Sequence, residues 1–188
     1  MNVVTSLLMK GVSMIKNYLQ AAIMQLKAAF LIILIALLTI LPGCISGDES
    51  NVQKVVPNFS MVADDETTYS ADNLLGTPYI LHFSASWCNQ CRSTIHAVDN
   101  QLSNHTYIIV STDSSDSDKL SDWHLQVNES ADGTVDAPFS VNTELAESLD
   151  IKNTPTLILV DSEGLIVDRH IGTLTESSDI EAFWAQLA

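Results

Sequence analysis

Four short runs of β-branched, aromatic and aliphatic residues punctuate the C-terminal part of the chain, at Tyr79–Phe83, Tyr107–Ser111, Thr156–Val160 and Leu165–His170. Each has the length and composition of a strand. Between and after them, apolar residues recur at helical spacing over Arg92–Leu102, Lys119–Val127, Glu144–Leu149 and Asp179–Leu187. In the last of these, Ile180, Phe183, Trp184 and Leu187 form one stripe, and Ser178 stands three residues before Glu181, the spacing of a capping box. Strands alternating with helices predict an α/β domain. Asp161-Ser162-Glu163-Gly164 separates the last two strands and reads as a hairpin turn. The expected architecture is therefore a mixed central sheet flanked by helices.

The hydrophobic pattern at the other end of the chain is of a different kind. Ala28–Leu41 reads AAFLIILIALLTIL, preceded by Lys27 and followed by Pro42-Gly43-Cys44. A basic flank, a short apolar run and small residues outline a signal peptide. The run is shorter than the roughly 20 residues that span a hydrocarbon core. Leu41-Pro42-Gly43-Cys44 resembles a lipobox, in which cleavage precedes a cysteine that is then acylated. The alternative is an uncleaved helix lengthened by the mixed apolar stretch Tyr18–Leu26. Either outcome predicts residues 1–43 as a signal peptide or membrane anchor, 44–56 as a polar tether and 57–188 as a domain held outside the cytoplasm.

Charge sharpens this division. Residues 1–43 carry three lysines and no acid, whereas residues 44–188 carry all 23 acidic residues and five basic ones, a net −18. A polyanionic body repels phosphate backbones, which argues against a nucleic-acid partner. The chain has three cysteines, an odd number for an exported protein. Assigning Cys44 to lipid leaves Cys88 and Cys91, too close together to be a structural framework for so large a body.

Those two cysteines lie in Trp87-Cys88-Asn89-Gln90-Cys91-Arg92, directly after an apolar strand and directly before a helical pattern. Two intervening residues let both thiols sit on the first turn of the helix. There, unsatisfied N–H groups and the positive end of the macrodipole favour a thiolate. Cys88 is the expected nucleophile, Cys91 the residue that resolves the mixed disulfide, and Arg92 a further source of positive potential. An inert structural bond is the plain alternative. Two thiolates supply half a zinc shell, so no metal site is expected.

The body resembles a thioredoxin-fold protein of the membrane-anchored TlpA/ResA-type branch. The resemblance rests on Trp87–Arg92, on Pro57-Asn58-Phe59 with Leu74-Leu75-Gly76-Thr77-Pro78, and downstream on Leu145–Ile151, Thr154-Pro155-Thr156, Leu159-Val160-Asp161 and Gly164. It places an insertion between strands at Ser115–Asn142. It implies that Thr154-Pro155 is a cis peptide facing the dithiol, with Thr154 offering backbone groups to an extended client segment. Trp87 is expected to shield the nucleophile and touch the client, with plain packing as the alternative. The chain departs from the family in Asn89-Gln90, where Gly-Pro is commonest, and in His82, where simple thioredoxins carry a buried acid. His82 is expected either to accept the Cys91 proton as a neutral imidazole, to become a cation that lowers the thiol pKa, or to be a satisfied core residue. His96, His105, His124 and His170 read as surface or helix residues, and the acidic run Asp113–Asp118 as a solvated loop or helix start.

Taken with the anchor, the resemblance implies a membrane-tethered thiol–disulfide oxidoreductase with no organic cofactor. Its clients would be exported thiol or disulfide proteins, apocytochrome c among them, and a membrane partner would supply or remove electrons. Two rival readings are a copper metallochaperone using Cys88, Cys91 and either His82 or His170, and a redox-inactive binding module.

Overall fold

The computed structural model describes residues 54–130 and 132–188. The expected signal peptide or anchor, Cys44 and most of the expected tether lie outside them. Among the described residues no helix is long and apolar enough to cross a membrane.

A five-stranded sheet forms the centre, built from β3 (Tyr79–Ser84), β4 (Thr106–Ser111), β5 (Phe139–Val141), β6 (Thr156–Val160) and β7 (Ile166–Ile171) in the order β5-β4-β3-β6-β7. β3 pairs with β4 in parallel and with β6 antiparallel, β4 with β5 in parallel, and β6 with β7 antiparallel. The sheet is mixed as its pattern predicts. Every side chain of β3 is buried, which explains its nearly unbroken apolar run: the central strand is covered on both faces. A two-stranded hairpin, β1 (Ser60–Val62) and β2 (Thr68–Ser70), precedes the sheet and had no counterpart in the sequence reading.

The helices are α1 (Asn89–Gln101), α2 (Leu120–Asn128), α3 (Thr143–Ser148) and α4 (Ser177–Trp184). On one face of the sheet, Ile95 and Val98 of α1, Trp123 and Val127 of α2, and Ile180 and Phe183 of α4 pack on Ile80, Ile109, Leu157 and Leu159. On the other face, Leu145, Ala146 and Leu149 join Val56, Phe59, Met61 and Leu74 over Leu81, Phe83, Ile108 and Ile158. The insertion supplies α2 and β5, and so contributes both a helix and a sheet edge.

Two details of the pattern read differently in three dimensions. Helix α4 starts at Ser177 with Glu176 in extended conformation at its cap and no side-chain capping bond. Ser178 therefore sits inside the first turn and does not cap. The hairpin between β6 and β7 forms as expected. Asp161 accepts from the Glu163 and Leu165 N–H groups, both at 2.9 Å, and Gly164 takes φ +80°, a conformation that favours glycine.

Val56 is buried, Val55 bridges to Leu165, and the Ile166 N–H donates to the Lys54 carbonyl at 2.8 Å. The last residues of the expected tether are thus part of the folded body. A second pin holds the insertion: His124 of α2 pairs with Asp64 at 2.6 Å and with the Val135 carbonyl at 2.8 Å. The other oxygen of Asp64 accepts from the Phe139 N–H at 2.8 Å.

Candidate active site

Strand β3 delivers the chain through Ala85-Ser86-Trp87 to Cys88, which occupies the N-cap of α1 at φ −82° and ψ 87°. Cys88 and Cys91 are joined in a disulfide with their Cα atoms 5.4 Å apart. Backbone bonds lock the turn, from the Cys88 N–H to the Ala85 carbonyl at 2.9 Å and from the Cys91 N–H to the Cys88 carbonyl at 3.1 Å. The pair is asymmetric, because Cys91 is fully buried and Cys88 retains a sliver of exposure. No acid lies in the first turn of α1, and Arg92 does. Both the helix end and the guanidinium therefore favour negative charge at Cys88.

Trp87 is 63% exposed, so its indole is surface and not core packing. Its N–H donates to the Asp113 carboxylate at 3.0 Å. Hydrogen bonds from Ser115, backbone first, and then from Trp87 hold the Asp113 carboxyl below its usual range. The Thr154–Pro155 peptide is cis and Pro155 is buried. The Gln90 side-chain amide donates to the Thr154 carbonyl at 3.0 Å, which joins the loop between the cysteines directly to the proline loop. The segment carrying Trp87, Cys88 and Cys91 thus meets the loop carrying Thr154 and Pro155 through Gln90, an additional residue that links the two.

His82 stands two residues along β3 from Ile80, which shares a packed cluster with both cysteines, and so projects from the same face of the sheet as Ile80. Its ring is fully buried. Nδ1 shares a 2.5 Å hydrogen bond with the Tyr107 hydroxyl, while Nε2 has no partner among the described residues. Burial pushes the imidazole pKa down to about 3. The expected cationic form of His82 is therefore not available at neutral pH, and the neutral imidazole remains. Nor is His82 a fully satisfied core residue, since one nitrogen is uncommitted.

His96 and His124 lie on α1 and α2 and His105 is exposed, in keeping with the expected surface or helix placement, but the burial of His96 and of part of the acidic run is new. His96 is buried, with Nε2 2.7 Å from the Ser130 hydroxyl and 3.1 Å from the Val127 carbonyl. It ties α1 to the end of α2 instead of facing solvent. His170 pairs with the Thr173 carbonyl at 3.2 Å and packs against Phe183. Asp116, within the run expected to be solvated, is 1% exposed and bonds to Ser86 and Ser111. A carboxylate in a polar run carries no local sign that a serine 30 residues upstream will enclose it. Among the described residues no group of three or more His, Cys, Asp or Glu is placed to hold a metal ion.

The thioredoxin-like domain profile matches residues 73–187, which includes the cysteine pair, the proline loop and the whole sheet. The chain belongs to the thioredoxin-like family. Within that family it is similar to the thiol:disulfide interchange protein DsbE of Escherichia coli (strain K12), at 30% identity over 168 residues, covering 82% of this chain and 89% of that one. DsbE of Vibrio cholerae is 28% identical over 124 residues, covering 64% of this chain and 65% of that protein, so the match spans just under two thirds of that relative's length. Thioredoxin-like protein YneN of Bacillus subtilis is 26% identical over 125 residues, covering 64% of this chain and 71% of its own length. These relatives agree with the TlpA/ResA-type resemblance read from the motifs. Among solved structures, the pneumococcal exposed lipoprotein thioredoxin Etrx1 of Streptococcus pneumoniae superposes with TM-score 0.59 at 21% identity, over 70% of this chain and all of that one. That likeness establishes the thioredoxin fold of this thioredoxin-like domain.

Proposed function

We propose that the protein is an extracytoplasmic thiol–disulfide oxidoreductase, tethered to the membrane by acylated Cys44 or by an uncleaved N-terminal helix. The observation that carries this reading is the Cys88–Cys91 disulfide on the first turn of α1, beside the exposed Trp87 and bonded through Gln90 to the cis-proline loop. In the reductive direction, the Cys88 thiolate attacks one sulfur of a client disulfide and expels the other as a client thiolate. Cys91, deprotonated, then attacks the Cys88 sulfur, releases the second client thiolate and closes the Cys88–Cys91 disulfide. Two electrons have passed to the client, and the reverse sequence oxidises it.

Helix position and Arg92 stabilise the Cys88 thiolate, while His82, held neutral by burial, acts through the hydrogen-bonding capacity of its uncommitted Nε2 and not as a proton acceptor. Clients are exported proteins with cysteine pairs, apocytochrome c among them, which present an extended segment to Thr154 and an apolar contact to Trp87. A membrane redox partner restores the couple, and the disulfide itself is the redox group, with no organic cofactor. Replacing Cys91 by Ser is expected to accumulate a covalent client adduct through Cys88, visible on non-reducing gels and by mass spectrometry. No adduct, together with a wild type unable to reduce insulin, would overturn the assignment.

A further inference from the structure

A buried carboxylate is expensive to desolvate and persists where donors converge on it. Asp116 meets that condition at 1% exposure. Its oxygens accept from the Ser86 N–H at 3.0 Å, the Ser86 hydroxyl at 2.7 Å and the Ser111 hydroxyl at 2.5 Å. Ser111 ends β4, and Ser86 stands two residues before Cys88. The carboxylate therefore clamps the end of one strand to the short segment that carries the chain from β3 to the nucleophile. The same junction is tied by the Thr112 N–H donating to the Ser84 carbonyl at 2.9 Å. An apolar side chain would fill the core here at lower cost, and nothing in the exchange steps as written employs Asp116.

We propose that Asp116 is a positioning residue for Cys88, which fixes the nucleophile at the helix end and also opposes that end electrostatically. This rests on the reading of Cys88 as the nucleophile. Two Cα–Cα steps of about 3.8 Å separate Ser86 from Cys88, and with the reach of the side chains at either end the carboxylate lies within roughly 15 Å of the thiol. At an effective dielectric constant of about 20, a full charge at that range raises a thiol pKa by about one pH unit. The other charged groups bordering the segment are Asp113, bonded to Trp87, Arg92 in the first turn of α1, and Lys119, whose N–H donates to the Asp116 carbonyl. His82 is neutral. Helix end and Arg92 pull the thiol pKa down, Asp116 and Asp113 push it up, and the upward push of the carboxylates stabilises the disulfide against reduction.

The test is the pH profile of Cys88 alkylation by iodoacetamide in the reduced full chain, together with the equilibrium of the couple against glutathione. Asp116→Asn keeps the shape and removes the charge. It is expected to lower the apparent thiol pKa by about one unit and to make the disulfide up to about tenfold easier to reduce. Asp116→Ala also removes the clamp, and is expected to lower the limiting alkylation rate above the pKa. Ser86→Ala covers the case in which both Asp116 variants fail to fold. By withdrawing one donor and leaving the charge, it raises the apparent pKa. A folded Asp116→Asn, or failing that a folded Ser86→Ala, with a wild-type profile and equilibrium overturns the proposal. Alkylation needs no client, so this outcome is distinct from failure of the oxidoreductase reading, which the Cys91→Ser adduct tests.

Discussion

Burial removes the His82 ring from water and moves its pKa from 6.5 to about 3. The folded value lies below the unfolded one, so below pH 6.5 the unfolded chain takes up a proton that the folded protein refuses. The contribution of His82 to stability is complete above pH 6.5 and is lost as the pH falls toward 3. One pKa unit corresponds to about 1.4 kcal/mol, so at pH 5 the loss is about 2 kcal/mol. His82→Leu removes the titrating ring and leaves the Tyr107 hydroxyl without its partner, at a cost of about 1–3 kcal/mol. That cost is the same at both pH values and cancels, as do the carboxylates and the other histidines, which both proteins share. Urea unfolding of the two oxidised proteins at pH 7 and pH 5 measures the difference. With a slope of about 1.5 kcal/mol per molar, the wild-type midpoint should fall about 1.3 M further than that of the variant. Equal shifts in the two proteins would refute the claim that His82 is held neutral by burial.

Two other predictions concern the frame around the site. Asp64→Ala strips the partner from His124 and the acceptor from the Phe139 N–H, in a pair whose carboxylate side chain is 8% exposed. It should cost about 3 kcal/mol in urea unfolding, and a loss below about 0.5 kcal/mol would show that the insertion is not pinned there. With a net −18 over residues 44–188, and with Lys152–Asp150 as the single lysine–carboxylate pair among the described residues, self-repulsion is weakly compensated. Raising salt from about 10 mM to 1 M shortens the screening length from about 30 to 3 Å and should raise the urea midpoint. A flat or falling midpoint would contradict this.

What was legible from the chain is what local pattern encodes. The β3 run ends where the cysteine motif begins, so the place of the cysteine pair on strand–turn–helix followed from neighbouring residues, and the central strands and α1–α4 lie within a few residues of their expected bounds. The β1–β2 hairpin and β5 were missed because three-residue strands carry too little alternation to register. The burial of Asp116 and of the helical His96 was not legible for another reason. Their burial is decided by Ser86, Ser111, Val127 and Ser130, brought up by tertiary contact, and a polar residue's own neighbours do not announce such partners. The same holds for the Ser178–Glu181 spacing, where the entry of the chain into α4 at Glu176 settled the cap and the motif did not.

The bond from Gln90 to the Thr154 carbonyl has a bearing on selectivity. If the protein is the oxidoreductase proposed, a client strand's N–H at this position either shares the carbonyl with Gln90 or displaces it, and a hydrogen bond exchanged for an equivalent one is nearly neutral. In the displaced case, backbone pairing would serve as alignment, and discrimination between clients would pass to whatever apolar surface they can lay against the open face of Trp87.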